Sequence, residues 1–198
     1  MIRLGYVFCR LALTVCLATS IGASAQSEPQ SFEPIMKGKS VYIYDFLDIR
    51  KRQFGDAFFD IFESKLTDGL TKYGLDTKVI RFSKTRAGGF YSSSDQINTY
   101  QSGSVPVEQV INDNIPEERS FNSSYRIIAF PLSYTVSQMS QSYDIRWVVE
   151  DVSSGKQVLD FTYHGKNMIL FSTKENPEGR ASKLVNHFLE ELRAKGLI

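Results

Sequence analysis

Two carboxylates near the end of a predicted strand stand where a catalytic pair would be expected. Asp45 and Asp48 lie at and just after the apolar run 40–47, and α/β sheets often bind ligands where their strands end. A pair of carboxylates in that position suits a hydrolase. The alternative is that both are solvated, and the general exposure of Asp and Glu side chains favours it.

The two histidines, His164 and His187, add no catalytic or metal-binding pattern. His164 alternates with apolar residues of a predicted strand and therefore points to its solvent-facing side, whereas His187 lies on the flank of a predicted helix. No His-Glu-x-x-His or comparable ligand spacing occurs. Serines 92–94 lack the glycines of a nucleophile elbow, and residues 86–89 (RAGG) lack the Lys-Ser/Thr end of a phosphate loop. We therefore expect no cofactor, no catalytic metal and no enzymatic activity.

The first 25 residues have the pattern of a cleaved secretory signal peptide. Arg3 and Arg10 supply a basic start, and the apolar run 11–25 is shorter than the roughly 20 residues of a membrane-spanning helix. The run ends in Ala-Ser-Ala, so small residues stand one and three positions before a cleavage site between Ala25 and Gln26. An uncleaved membrane anchor is the alternative.

Cysteine content and charge narrow the class of protein further. Cys9 and Cys16 are the only cysteines and lie inside the predicted signal, so the mature chain would hold no disulfide, thiolate or zinc–thiolate site. Cys16 has no small residue just before it, and we do not expect a lipid anchor. Lys and Arg number 23 against 22 Asp and Glu, a balance that predicts neither nucleic acid nor an anionic membrane surface as a partner. We expect a periplasmic or secreted protein.

Hydrophobic periodicity predicts a single α+β domain over residues 39–198, preceded by a flexible, polar leader at 26–38. Its mixed sheet has about five strands, and two long helices with apolar stripes pack on one face. The strands are predicted at 40–47, 75–82, 125–137, 142–152 and 156–171, and the helices at 54–73, 106–115 and 178–195, in the order β-α-β, loop and short helix, then β-β-β-α.

Local signals refine these elements. The first strand has apolar residues on both faces, which is typical of a central strand, whereas the last three alternate and therefore have one buried and one wet face. Gly74 is expected to end the first helix in a left-handed conformation, and Pro131 marks an edge or a bulge. One core is expected to contain Phe58, Phe62, Leu66, Trp147, Phe161, Leu184 and Phe188.

The segment 83–104 breaks the periodic pattern and is predicted to be a long loop. It is polar and contains Gly88-Gly89, so it buries little apolar area of its own. It nevertheless carries Phe90, Tyr91 and Tyr100, and aromatic residues are typical interface anchors. We predict that these three bind a partner. The alternative is that Phe90 and Tyr91 pack under the loop and hold it to the domain.

The chain resembles a group of bacterial envelope domains that includes the TolB amino-terminal domain, CsgG-like proteins and penicillin-binding-protein activator lipoproteins. The resemblance covers about residues 39–198 and depends on the first strand and helix (SVYIYDFL, FGDAFFDIFESKLTDGLTKYG), the hairpin VVEDVSSGKQVLDF with its Asp151-to-Gly155 turn, and the closing helix RASKLVNHFLEELRAKGLI. It implies an envelope accessory role. The lipid-bearing cysteine of the lipoprotein members is absent here.

These observations favour a non-enzymatic periplasmic accessory protein that docks on a cell-envelope protein or assembly. A periplasmic hydrolase with its site near Asp45 and Asp48 is the alternative, and a secreted effector is a third possibility. An exposed apolar patch rimmed by polar residues would favour the docking protein. A concave pocket with two or more convergent ionisable groups would favour the enzyme.

Overall fold

The computed structural model describes residues 33–49, 54, 56–84, 90–92, 99–100, 107–137, 140–168 and 176–198. At 49, 56, 83–84, 90–92, 99–100, 136 and 168 it describes the backbone alone. The predicted signal peptide at 1–25 lies outside these ranges and stays a prediction.

The α+β fold and the predicted order of elements are confirmed. The strands are β1 (Ser40–Asp45), β2 (Asp76–Lys84), β3 (Phe90–Ser92), β4 (Thr99–Tyr100), β5 (Tyr125–Val136), β6 (Ser140–Asp151) and β7 (Lys156–Met168), and the helices are α1 (Asp56–Thr71), α2 (Val107–Ser120) and α3 (Pro177–Ala194). They form one mixed sheet in the order β4-β3-β2-β1-β5-β6-β7. The five predicted strands make up its body, and β3 and β4 extend it beyond β2.

Strand β1 occupies the centre of the sheet, as its two apolar faces predict. It runs parallel to β2 on one side and to β5 on the other, whereas β6 and β7 continue the sheet in antiparallel pairs. Because both pairs are parallel, the chain must cross over the sheet between β1 and each of these neighbours. Their carboxyl ends meet at one edge, where Asp45 lies.

Helices α1 and α3 cover one face of the sheet and bury the main core. Six of the seven predicted core residues are fully buried there, and Phe161 is partly buried against the same cluster. Trp147 of β6 stacks on Phe188 of α3, with ring centroids 4.1 Å apart. The core also takes in Met36, within the predicted leader, whose N–H donates to the Leu197 carbonyl (2.9 Å).

Among the described elements, helix α2 covers part of the opposite face of the sheet. Helix α2 packs its Val110 and Ile111 side chains over an aromatic cluster that includes Tyr42, Tyr44 and Phe46. The prediction that this helix ends at Ile115 is wrong, because it continues through Pro116 to Ser120. Its last turn is held by Glu118, a contact described below.

Turn and bulge signals read from the sequence are confirmed. Gly74 (φ +77°) ends the turn after α1, and Gly155 (φ +66°) closes the β6–β7 hairpin. In β5 the register with β6 shifts between Pro131 and Ser133. The extra residue, Leu132, is thereby released from regular pairing and is 40% exposed.

Backbone pairing replaces part of the loop predicted at 83–104. Strand β3 pairs antiparallel with the end of β2, and β4 pairs with β3. In the ranges given above, no helix has the length and apolar character needed to cross a membrane.

Candidate functional site

Asp45, the last residue of β1, is buried in the interior of the fold. Its side chain is fully buried, and its Oδ1 accepts a hydrogen bond from the Leu47 N–H (2.8 Å). Its Oδ2 is buried without a hydrogen-bond partner. A carboxylate left in this state would be costly, because ions are stabilised by water far better than by protein interior.

Burial accordingly raises the pKa of Asp45 to about 8. The Leu47 N–H and the positive charge of Arg81 oppose this shift, and the negative charges of Glu63 and Asp48 add to it. At neutral pH Asp45 is therefore mainly a neutral acid. It holds the turn 47–49 through one hydrogen bond and presents no surface to solvent.

Arg81 lies beside Asp45 in the β1–β2 register but binds the carboxylates of α1. Its Nη1 lies 2.9 Å from Asp60 Oδ1, and its Nε lies 3.2 Å from Glu63 Oε1. Burial raises the pKa of Glu63, and the Arg81 charge works against that rise. Arg81 thus joins α1 to β2, and Asp45 keeps its proton beside an arginine that is already neutralised.

Asp48, the second predicted carboxylate, lies in the short 3-10 turn Leu47–Ile49 and is also buried. The structure therefore brings Asp45 and Asp48 to the same strand end, as the sequence predicted. It does not leave them solvated, which the alternative interpretation required. The missing signal is the contact of the turn 47–49 with β2 and β5, a long-range contact that local pattern does not contain.

On the part of the sheet that α2 leaves open, Ser133, Asp144 and His164 form a row across β5, β6 and β7. The Ser133 hydroxyl donates to Asp144 Oδ2 (2.6 Å), and His164 Nδ1 lies 2.7 Å from Asp144 Oδ1. The Ser133 hydrogen bond, and then the one from His164, lower the pKa of Asp144. The carboxylate stands between the serine and the histidine, so the imidazole does not contact the hydroxyl and cannot activate it as a base.

The exposure predicted for His164 is found, whereas His187 is only partly exposed. The His164 side chain is 75% exposed, and His187 is half-buried on the flank of α3 against the rings of Phe161 and Tyr163. Among the residues with described side chains, no group of three His, Cys, Asp or Glu residues could hold a metal ion.

A groove of about 270 Å³ lies between α2 and the open part of β5 and β6. Its lining is mainly apolar and includes Leu132, freed by the bulge. Sequence reasoning missed this groove, although the spacing of Val107 and Ile111 and the proline before Leu132 were available signals. The apolar residues that line it are Val107, Ile111, Ile128, Phe130, Leu132 and Val148.

The charged groups at the rim of this groove are mostly neutralised by neighbours. Arg146 binds both oxygens of Asp160, at 3.0 and 2.7 Å, and this bond lowers the pKa of the Asp160 carboxyl. Glu150 lies 3.3 Å from Arg126. Glu108, at the start of α2, is exposed. Among the described residues, the rim therefore has no pair of free, convergent ionisable groups.

Beneath α2, Glu118 anchors the helix to the sheet. It is buried and receives hydrogen bonds from the Arg126 guanidinium (Nε to Oε1, 3.0 Å) and from the Tyr44 hydroxyl (3.1 Å). The Arg126 guanidinium also lies over the Tyr44 ring, 5.7 Å from its centroid. This network fixes the wall of the groove that α2 forms.

Phe90, Tyr91 and Tyr100 fall on β3 and β4, where the backbone alone is described. In the register, Phe90 is opposite Tyr100. Their side chains lie outside the description, so their predicted role in binding a partner stays a prediction.

The arrangement defines an α+β protein with a mixed sheet that has one face covered by helices and the other partly open. No protein-family model matches the chain, and no curated protein matches it. Among solved structures it is similar to the PelC dodecamer from Paraburkholderia phytofirmans, at 14% identity and a TM-score of 0.46, over 81% of this chain and 91% of that chain.

Two further solved structures are similar to the chain. Lipoprotein GNA1162 from Neisseria meningitidis has 10% identity and a TM-score of 0.41, over 79% of this chain and 99% of that chain. TolB from Acinetobacter baumannii, from one of the groups that the sequence resembles, has 8% identity and a TM-score of 0.39, over 82% of this chain and 30% of that chain. These similarities assign the chain to no family.

Proposed function

We propose that this chain is a non-enzymatic accessory protein of the cell envelope that docks on an envelope protein through the groove between α2 and the open sheet. The observation that carries the proposal is the apolar lining at Leu132, Phe130 and Val107, bordered by charges that already have partners. An exposed apolar patch with a polar rim is typical of a protein interaction site.

The size of the groove indicates what kind of group it accepts. About 270 Å³ is below the roughly 300–1,000 Å³ of sites that enclose a small-molecule ligand. The groove is also open to solvent along Leu132, which is 40% exposed. We therefore assign to it an apolar side chain, or a short apolar segment, of a protein partner.

The paired charges also favour docking over catalysis. General acid–base catalysis needs a titratable group within hydrogen-bond reach of the substrate, and Arg146 and Glu150 at this rim are both held in ion pairs. The group that accepts the Ser133 hydrogen bond on the same face is the Asp144 carboxylate, whose pKa is lowered by Ser133 and His164, so it is a weak base.

Site-specific photo-crosslinking in the producing cell tests the proposal. A photoreactive amino acid replaces Glu108 at the rim, and the chain carries in addition either Leu132→Asp or Ile35→Asp. Ile35 is 59% exposed and lies outside the groove. The variant Ile35→Asp is therefore a matched control, because it also replaces one exposed apolar side chain by a carboxylate.

We expect one discrete adduct with an envelope protein, at least about tenfold weaker with Leu132→Asp, which is the effect of about 1.4 kcal/mol on binding. Ile35→Asp should leave the adduct unchanged. Equal adduct yields in both variants, or no adduct in the parent, would rule out docking at this groove.

The hydrolase alternative is retained for one observation, the buried and unpartnered Oδ2 of Asp45. Raised carboxyl pKa values are common at catalytic sites. A hydrolase of this kind would need the turn 47–49 to open, because Asp45 and Asp48 are both buried. Hydrolysis of an envelope polymer by the purified protein, abolished by Asp45→Asn, would favour it over docking.

A further inference from the structure

Strand β7 is the outermost strand at one side of the sheet and runs for 13 residues. One of its sides pairs with β6. In the part of the chain that the structure describes, no strand pairs with the other side. A long unpaired edge is a template for another strand, because its outward N–H and C=O groups lack partners within the sheet.

The side chains of β7 divide between the two faces of the sheet. Leu159, Phe161 and Tyr163 lie on the face covered by α3 and pack against the main core. Asp160 and Lys166 lie on the open face and are exposed. The strand therefore carries a negative charge near one end of its open face and a positive charge near the other.

A bulge fixes which part of this edge is regular. Val149 pairs with Leu159 and Glu150 with Gln157, so Val158 is an extra residue on β7. Beyond it, residues 159–168 pair with β6 without interruption. Tyr163 and His164 lie at the middle of this regular edge.

Two copies of such an edge are self-complementary when they run antiparallel about Tyr163. Each Asp160 then lies opposite Lys166 of the second copy, which gives two equivalent ion pairs on the open face. Asp160 already accepts two hydrogen bonds from Arg146, but a carboxylate has about four acceptor sites and can accept a further one.

Neighbouring registers fit less well. A two-fold axis at Phe161 would place Lys166 opposite Lys156, which lies beyond the bulge at Val158 and on the other face of the sheet, so regular pairing does not reach it. An axis at Thr162 would place Lys166 opposite the bulged Val158, where regular pairing stops.

We propose that β7 pairs antiparallel with β7 of a second copy of this chain, in the register centred on Tyr163, and so forms a two-fold dimer with a continuous sheet. This interface shares the Arg146–Asp160 pair with the rim of the docking groove, but its test measures self-association and does not depend on an envelope partner.

Size-exclusion chromatography with light scattering, over a range of protein concentrations, measures the dimer. Lys166→Asp and Asp160→Lys should each weaken dimerisation about tenfold, because two ion pairs become two repulsions. The double variant should recover the dimer, since the charges are exchanged. Lys72→Asp in the turn after α1 is the control for net charge, and circular dichroism confirms that each variant is folded.

Cysteine cross-linking tests the register. In a chain with Cys9→Ser and Cys16→Ser, Tyr163→Cys should form an intermolecular disulfide, since residues opposite one another at the axis have Cα atoms about 4.5–5.5 Å apart, within disulfide range. Thr162→Cys should not, because it is opposite residue 164. A protein that is monomeric at all concentrations, or a disulfide from Thr162→Cys in place of Tyr163→Cys, would overturn the proposal.

Discussion

Asp45 shows how a single residue can make stability depend on pH. Its pKa is about 8 in the folded chain, against 3.8 ordinarily, so the folded state keeps a proton that the unfolded state loses. Below about pH 4 the side chain is protonated in both the folded and the unfolded state, so its ionisation does not affect the free energy of unfolding. Between about pH 4 and pH 8 the unfolded state gains the advantage of ionisation, and stability falls as pH rises.

We predict that Asp45→Asn stabilises the protein at pH 8 relative to wild type and has little effect on stability at pH 4. Asparagine cannot ionise and can still accept the Leu47 hydrogen bond. Each pKa unit corresponds to about 1.4 kcal/mol, so the difference should reach several kcal/mol. Urea unfolding across this pH range measures it, with the exposed Asp76→Asn as control. A difference that does not change with pH would contradict the burial of Asp45.

The aromatic residues of β3 give a second prediction at this scale. If Phe90 and Tyr91 bind a partner, the double variant Phe90→Ala with Tyr91→Ala keeps its melting temperature and loses much of its envelope cross-linking. A melting temperature lower by several degrees would instead show that the two rings hold the segment to the domain.

The sequence could place Asp45 and Asp48 at a strand end because the strand is locally encoded by SVYIYDFL. It could not show that both are buried, since the turn 47–49 contacts β2 and β5, which are distant in sequence. Likewise, Pro131 predicted an edge or a bulge next to Leu132. The groove beside Leu132 could not be predicted, because α2 forms one of its walls.

Among the elements, α2 departs most from its predicted form. Proline in a helix interior removes a backbone hydrogen bond and normally ends the helix near the preceding residue. Here α2 continues past Pro116, because Glu118 in its last turn is bound by Arg126 and Tyr44 from two different strands. Helices α1 and α3, by contrast, lie where their apolar stripes predicted, packed on the sheet.

We predict that Glu118→Gln destabilises the protein by roughly 3 kcal/mol, since it leaves the Arg126 charge with Glu150 alone in a partly buried site. Glu117→Gln is the matched control on the same helix. Glu117 pairs with the more exposed Lys78 at 2.9 Å, and its loss should cost less than about 1 kcal/mol. Urea unfolding compares the two, and equal losses would contradict the anchoring role of Glu118.

At the scale of the whole molecule, the two faces of the sheet are packed against different helices. The face under α1 and α3 holds the main core, and the other face holds a smaller aromatic cluster under α2. The part of this face that no described element covers carries the groove, the Ser133–Asp144–His164 row and the Arg146–Asp160 pair. This asymmetry is the structural basis for the proposed docking function.

A scan of photoreactive positions over the surface tests that function most directly. Glu108 and Gln157 border the groove, whereas Lys72 and Asn186 border a separate crevice between α1 and α3. We predict the same envelope-protein adduct from Glu108 and from Gln157, and none from Lys72 or Asn186. Adducts of equal yield from all four positions, or adducts from Lys72 and Asn186 alone, would contradict docking through the open face of the sheet.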